Sequence, residues 1–244
     1  MKFWFALPLL LVLNLPCQAR TLDDVRAGGV LACGLVAERP GFAVRDKDYQ
    51  WSGFDVDICR AIAAAVVGDP RKVNFVGLKD DEMVVALQSG EVDVLPQGPQ
   101  LSLSNDTSQG LIFVTPTFFT EGLEGNVDIY GPVVRQGDSN WLQVVRWIVW
   151  SLIRSEVLGV DAQKAASPTV GPSAAGSTFL EAGQSASSLG LGLDKGWTAK
   201  VVGAVGNYGE IFERHFGANS SNAQQRGMNR LFKDGGLLIS PPFD

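Results

Sequence analysis

WSGFDVDICRAIAAAVVGDPRKVNFV, residues 51–76, reads as one helix followed by one strand. Gly53 to Val67 is helical in composition and sets Ile58, Ile62, Ala65 and Val66 on one face, while Gly68 and Pro70 supply the stop. Val73 to Val76 then reads as a strand. Upstream, Val30 to Val36 is a β-rich apolar run. Downstream, Asp80 to Ser89 reads as a second helix closed by Gly90, where a left-handed residue is usual, and Val92 to Leu95 as a third strand. Short strands separated by helices of this length predict βαβ units with right-handed crossovers. The expected fold class is therefore α/β, with a mostly parallel central sheet flanked by helices. In such sheets ligands sit outside the carboxyl ends of the strands, so the loops after Val36, Val76 and Leu95 are the candidate site.

Beyond Leu111, Ile112 to Phe118 and Ile129 to Arg135 read as two more strands. Phe119 to Asp128 joins them with two glycines and an asparagine, which suits a turn or bulged hairpin and leaves no room for a domain. Trp141 to Ile153 carries Trp141, Val144, Val145, Ile148, Val149 and Leu152 on one helical face. Trp147 and Trp150 point elsewhere, so this helix is either buried on both sides or exposes a tryptophan patch to a partner. It is too short, and too charged at Arg146, for stable membrane insertion. Residues 161–191 are rich in Ala, Ser and Gly and read as a loop; helices are expected from Leu193 through Val205, over Gly209 to Phe216 and over Asn222 to Phe232.

Residues 1–19 read as a secretory signal: a basic start at Lys2, an apolar run from Phe3 to Leu15, and a small-residue cleavage site ending at Ala19. The expected compartment lies outside the cytoplasm. A net charge of −6 provides no basic stripe for nucleic acid. A single histidine, His215, argues against a histidine-rich metal site and against a Ser-His-Asp hydrolase. No acid/base pair or nucleophile set assembles, so neither an enzyme nor a cofactor is expected. Cys33 and Cys59 remain after the leader; an oxidising compartment favours a disulfide between them, the other reading being two buried thiols.

Several long segments carry a resemblance: TLDDVRAGGVLACGL, the opening stretch, ALQSGEVDVL, YGPVVRQGDSNW, LGLDKGWTAKVVGAVGNYGEIFERHFG and NRLFKDGGLLISPP. Together they resemble the periplasmic substrate-binding proteins of general L-amino-acid ABC transporters, solute-binding protein family 3, with the type II periplasmic-binding fold. That resemblance implies a periplasmic location, two α/β lobes joined by adjacent hinge strands, an L-amino acid held between them, and an ABC permease as partner. Here Phe119 to Asp128 stands where the family carries its second lobe, so a single lobe is expected. The implied division is 1–19 leader, 20–118 first part of the lobe, 119–128 short turn, 129–160 return strand and apolar helix, 161–191 loop, and 192–244 terminal helices.

The resemblance also implies a ligand loop, here DVLPQGPQLSLSNDT, residues 93–107. Where the family places an arginine that forks onto the α-carboxylate, this chain has Asn105; Leu101 replaces a tryptophan and Gln100 a threonine. Asparagine has no cationic fork, so amino-acid binding is expected to be weak or lost, the other readings being a periplasmic protein–protein interaction module derived from a solute-binding lobe, or a non-functional remnant. The implied, degenerate ligand set is Phe42, Gln100, Ser102 and Asn105. Asp55 and Asp57 match the family's helix start, where acidic residues favour the helix N-terminus.

Overall fold

The computed structural model describes residues 20–114, 118–123, 126–167, 173–182, 185, 188 and 190–243; the expected leader lies outside them. Helix α1 (Thr21–Gly28) leads into β1 (Leu31–Val36), and the short strands β2 (Val44–Arg45) and β3 (Trp51–Ser52) form a small antiparallel pair. Helix α2 (Phe54–Val66) and strand β4 (Val73–Leu78) follow, and β4 pairs parallel with β1, Leu31 opposite Val73. This is the expected βαβ unit. Helix α2 is buried along all of its length except Arg60, so its alanines serve close packing against neighbours on every side.

After α3 (Met83–Ser89) the chain returns to the sheet at Val92–Leu95 through isolated bridges rather than a full strand. The Asp93 amide donates to Ala32 O at 2.8 Å, and the Gly34 amide donates to Val94 O at 3.0 Å. Pro96 follows and has no amide to continue a ladder, which keeps the pairing short. Helix α4 (Leu103–Ser108) precedes β5 (Leu111–Phe113), which pairs antiparallel with β8 (Val133–Arg135). A bridge between Leu95 and Val133 joins that pair to the parallel part of the sheet.

Between β5 and β8 the chain forms an antiparallel ribbon, β6 (Phe119–Leu123) and β7 (Asn126–Tyr130), running from the pair Phe119 and Tyr130 to Leu123 and Asn126. The hairpin occupies the stretch read as a joint, and it is strand to within a few residues of its tip. Its base is held from far along the chain. Asn229 accepts from the Thr120 amide at 2.7 Å and donates to Thr120 O at 3.0 Å, and the Tyr208 hydroxyl donates to Phe118 O at 2.8 Å.

Helix α5 (Ser139–Val157) starts at Asp138, whose Oδ1 accepts from the Trp141 amide at 3.0 Å. Its apolar face is buried as expected. Trp147 and Trp150 are half-buried, and the ring of Phe243 lies 5.0 Å from that of Trp147, so the tryptophan face is partly covered by the chain itself. The Ala/Ser/Gly-rich segment contains helices, contrary to the loop expected there: α6 (Ala162–Ala166) and α7 (Ala174–Ala182). Phe179 and Leu180 anchor α7 by packing into a cluster with Val160 and Val202. Helices α8 (Trp197–Val205) and α9 (Tyr208–Phe216) follow, the latter opened by a capping box between Asn207 and Glu210. Residues 222–232, expected to be helical, form a 3-10 turn at Gly227–Asn229, and a second turn spans Phe232–Asp234. Gly236 packs against Arg230 so closely that a Cβ there would meet Arg230 O at 1.9 Å.

Candidate functional site

The loops at the carboxyl ends of β1, β4 and the Val92–Leu95 segment converge on a cleft of about 580 Å3. Its walls come from Val36 to Pro40, from Asp80 and Met83, from Gln97 to Gln100, and from Tyr130 on the hairpin. This is the place that strand order singles out for a ligand. Two features show how tightly the walls are built. Glu38 adopts φ 61°, a left-handed conformation uncommon for a residue with a side chain and frequent at ligand sites. Gly98 approaches β8 so closely that a Cβ would meet Val133 Cγ2 at 2.6 Å, and its amide donates to Gly131 O at 3.0 Å.

The wall after β1 is tied to the start of α2. The Phe54 amide donates to Gly41 O and the Asp55 amide to Phe42 O, at 2.9 and 3.0 Å, so the first amides of the helix are satisfied by the loop that shapes the cleft. Gly53 permits this, since a Cβ there would lie 1.9 Å from Phe42 O. Within the wall, Arg39 Nη2 donates to Glu121 Oε1 of the hairpin at 3.3 Å, and its guanidinium lies 4.6 Å from the centre of the Phe42 ring and 5.5 Å from that of Tyr130. Gln97 is 6% exposed, and neither its Oε1 nor its Nε2 has a hydrogen-bond partner among the described residues. Behind the wall, burial pushes the Asp55 carboxyl up to about 7; Arg39 pulls it down less strongly, and Glu121 adds to the rise.

Of the four residues implied by the resemblance, Gln100 lines the cleft, where its amide donates to Asp128 of β7. Phe42 is buried in an aromatic cluster with Phe54, Phe119 and Phe216. Ser102 caps α4, accepting from the Asn105 amide at 3.2 Å. The Asn105 side chain is spent inside the loop: Nδ2 donates to Gln100 O at 2.8 Å and Oδ1 accepts from Gln109 at 3.1 Å. Thus Asn105 shapes the loop and contributes no charge to the cleft. Sequence reasoning passed over Arg39, Gln97 and Tyr130, although Arg39 immediately precedes Pro40-Gly41-Phe42 and Gln97 lies inside the ligand loop. Their place at strand carboxyl ends was the available signal. Away from the cleft, Cys33 of β1 and Cys59 of α2 are joined by a disulfide and are fully buried.

The sequence profile of the bacterial extracellular solute-binding proteins, family 3, matches residues 31–158, more than half of the chain. The chain belongs to that family. This solute-binding protein is 29% identical to the general L-amino acid-binding periplasmic protein AapJ of Rhizobium johnstonii, with 92% of this chain and 93% of AapJ covered. It is 30% identical to the glutamate/glutamine/aspartate/asparagine-binding protein BztA of Rhodobacter capsulatus, with 93% and 94% covered. Among solved structures, an ABC transporter periplasmic binding protein from Brucella ovis with glutathione bound superposes at a TM-score of 0.85 and 30% identity, over 93% of this chain and 100% of that chain. The fold is that of the type II periplasmic binding proteins. The AapJ alignment runs over 318 positions, whereas this chain has 244 residues, so at least 74 aligned positions have no counterpart here. No helix among the described residues is long and apolar enough to cross a membrane.

Proposed function

We propose that this solute-binding protein is a single-lobed periplasmic component of amino-acid ABC transport that holds an L-amino acid weakly in its open cleft and delivers it to a permease. The observation that carries this reading is the hairpin β6–β7. It spans only Phe119 to Tyr130, where the family resemblance implies a whole second lobe, and it is latched to the cleft by Arg39 with Glu121 and by Gln100 with Asp128. The shortfall against the AapJ alignment supports the same picture.

The chemistry follows from the geometry. A second lobe would enclose the ligand, exclude water and strengthen each polar contact. A cleft open on one side forgoes that gain, and a loss of about 4 kcal/mol carries a micromolar site to millimolar. A lone lobe has no closure between lobes, so on this reading the protein presents its ligand to a permease without that rigid-body motion. Melting the purified protein against a panel of L-amino acids up to tens of millimolar tests the reading. A saturable rise with a millimolar midpoint is expected for at least one amino acid; a flat panel on a cooperatively melting protein refutes it.

A further inference from the structure

We propose that the free edge of β4 pairs with the same edge of a second copy of this chain, antiparallel and across a two-fold axis, so that two lobes share one continuous sheet. The inference is independent of what the cleft holds.

Strand β4 is the last on its side of the sheet: it pairs with β1, and no strand among the described residues pairs with it on the other side. The Leu31 amide donates to Lys72 O at 3.0 Å and the Ala37 amide to Leu78 O at 3.3 Å. Alternate residues from Lys72 to Leu78 therefore turn their backbone groups toward β1, and Val73, Phe75 and Gly77 turn theirs outward. Natural sheets blunt such an edge with a charge, a proline or a bulge. Val73 to Leu78 contains no charge and no proline, and its register with β1 runs unbroken. Asn74 and Gly77 are exposed, and Val73, Phe75 and Val76 are half-buried, so apolar surface lies on both faces of the edge.

The flanks choose the occupant and its direction. Arg71 and Lys72 precede the strand; Asp80, Asp81 and Glu82 follow it just after Lys79. Arg71 pairs with Asp69 and Lys79 with Glu82, whereas Lys72, Asp80 and Asp81 are exposed and form no ion pair among the described residues. Antiparallel pairing of two identical edges sets the basic flank of each copy against the acidic flank of the other; parallel pairing sets like against like. With Phe75 opposite Gly77 of the second copy, Val76 meets its own counterpart, Lys72 comes opposite Asp80, and Arg71 opposite Asp81. That register also brings Phe75 of one copy toward the Trp51 ring of the other, which lies over Gly77 where a Cβ would meet it at 3.3 Å. Asp81, Glu82 and Glu91 line a groove beside Gly77 and Leu78, so an incoming Arg71 or Lys72 meets three carboxylates.

Sedimentation velocity of the purified protein over a range of concentrations, with amide hydrogen exchange at both ends of the range, tests the pairing. A short edge makes a small interface, so a monomer–dimer equilibrium with a midpoint of about 10–100 μM is expected, weakening several-fold as salt screens the flanks. The outward Phe75 and Gly77 amides should gain protection in the dimer, while the Val76 amide, turned to β1, is protected throughout. Asn74→Lys places a charge on the edge and should raise the dissociation constant about tenfold or more without lowering the melting temperature of the monomer. Lys72→Glu should weaken association about tenfold, because the two-fold axis doubles each change, and adding Asp80→Lys should restore it. Should Asn74→Lys melt early, Lys72→Glu and its restoration decide. A protein that stays monomeric up to about a millimolar, or one that dimerises while the Phe75 and Gly77 amides exchange as fast as in the monomer, overturns the proposal. So does a dimer that Asn74→Lys and Lys72→Glu leave unchanged.

Discussion

Asp55 and Asp57 stand two residues apart at the start of α2 and meet opposite surroundings. Asp57 would be raised by burial, but it accepts from His215 Nε2 at 2.7 Å, from Arg214 and from Arg60, and the His215 and Arg214 contacts hold its carboxyl below the usual range. Asp55 has no such company, and burial carries it up to about 7. The signs differ accordingly. The stability that Asp55 contributes is full below about 4 and is lost as pH rises through about 7; that from Asp57 is full above about 4 and is lost as pH falls through its lower folded value. Calorimetry should therefore find Asp55→Asn more stable than wild type at pH 8, by several degrees, with the gain shrinking toward pH 5. Asp57→Asn should cost about 2–3 kcal/mol at pH 7, with the deficit narrowing below pH 4. Both carboxylates were legible in the sequence as partners of a helix N-terminus. What separates them was not, because Arg214 and His215 lie some 157 residues further on and only the folded chain brings them in.

Among the elements, the hairpin depends most on distant chain. Thr120 is buried, and its amide, hydroxyl and carbonyl are all satisfied by Asn229. Asn229→Ala leaves those groups unpaired in a dry site and should cost about 2–4 kcal/mol in denaturant unfolding. Hydrogen exchange at the Thr120 amide should accelerate in the same variant, since its acceptor has gone. Helices with a strong apolar stripe, α2 and α5, were legible because periodicity alone marks them. Helix α7 was not: Ala, Ser and Gly give no stripe, and two anchors, Phe179 and Leu180, hold it through tertiary burial. Over residues 222–232 the error ran the other way. The composition suggested a helix, but Gly227 takes φ 50° and Asn229 turns inward to the hairpin, so tertiary demand overrode propensity.

At the scale of the molecule, one core runs through α2, α5, α8 and α9, with β1 and the base of the hairpin packed into it. The cleft lies at the carboxyl edge of the sheet that this core supports. The position of this candidate cleft was legible, since it follows from βαβ topology. Its lining was legible only in part: Gln100 could be read from the loop, whereas Arg39, Gln97 and Tyr130 come to the cleft because the fold brings separate segments together. The proposed function is that of a lone lobe whose one-sided cleft binds an amino acid weakly. Amide chemical shifts recorded while the labelled protein is titrated with a panel of L-amino acids test it most directly, because they report place and affinity together. Shifts centred on residues 36–39, 80, 83, 97, 98, 100 and 130, saturating with a midpoint of about a millimolar for at least one amino acid, are the predicted result. Shifts centred elsewhere, or none up to tens of millimolar, would contradict it.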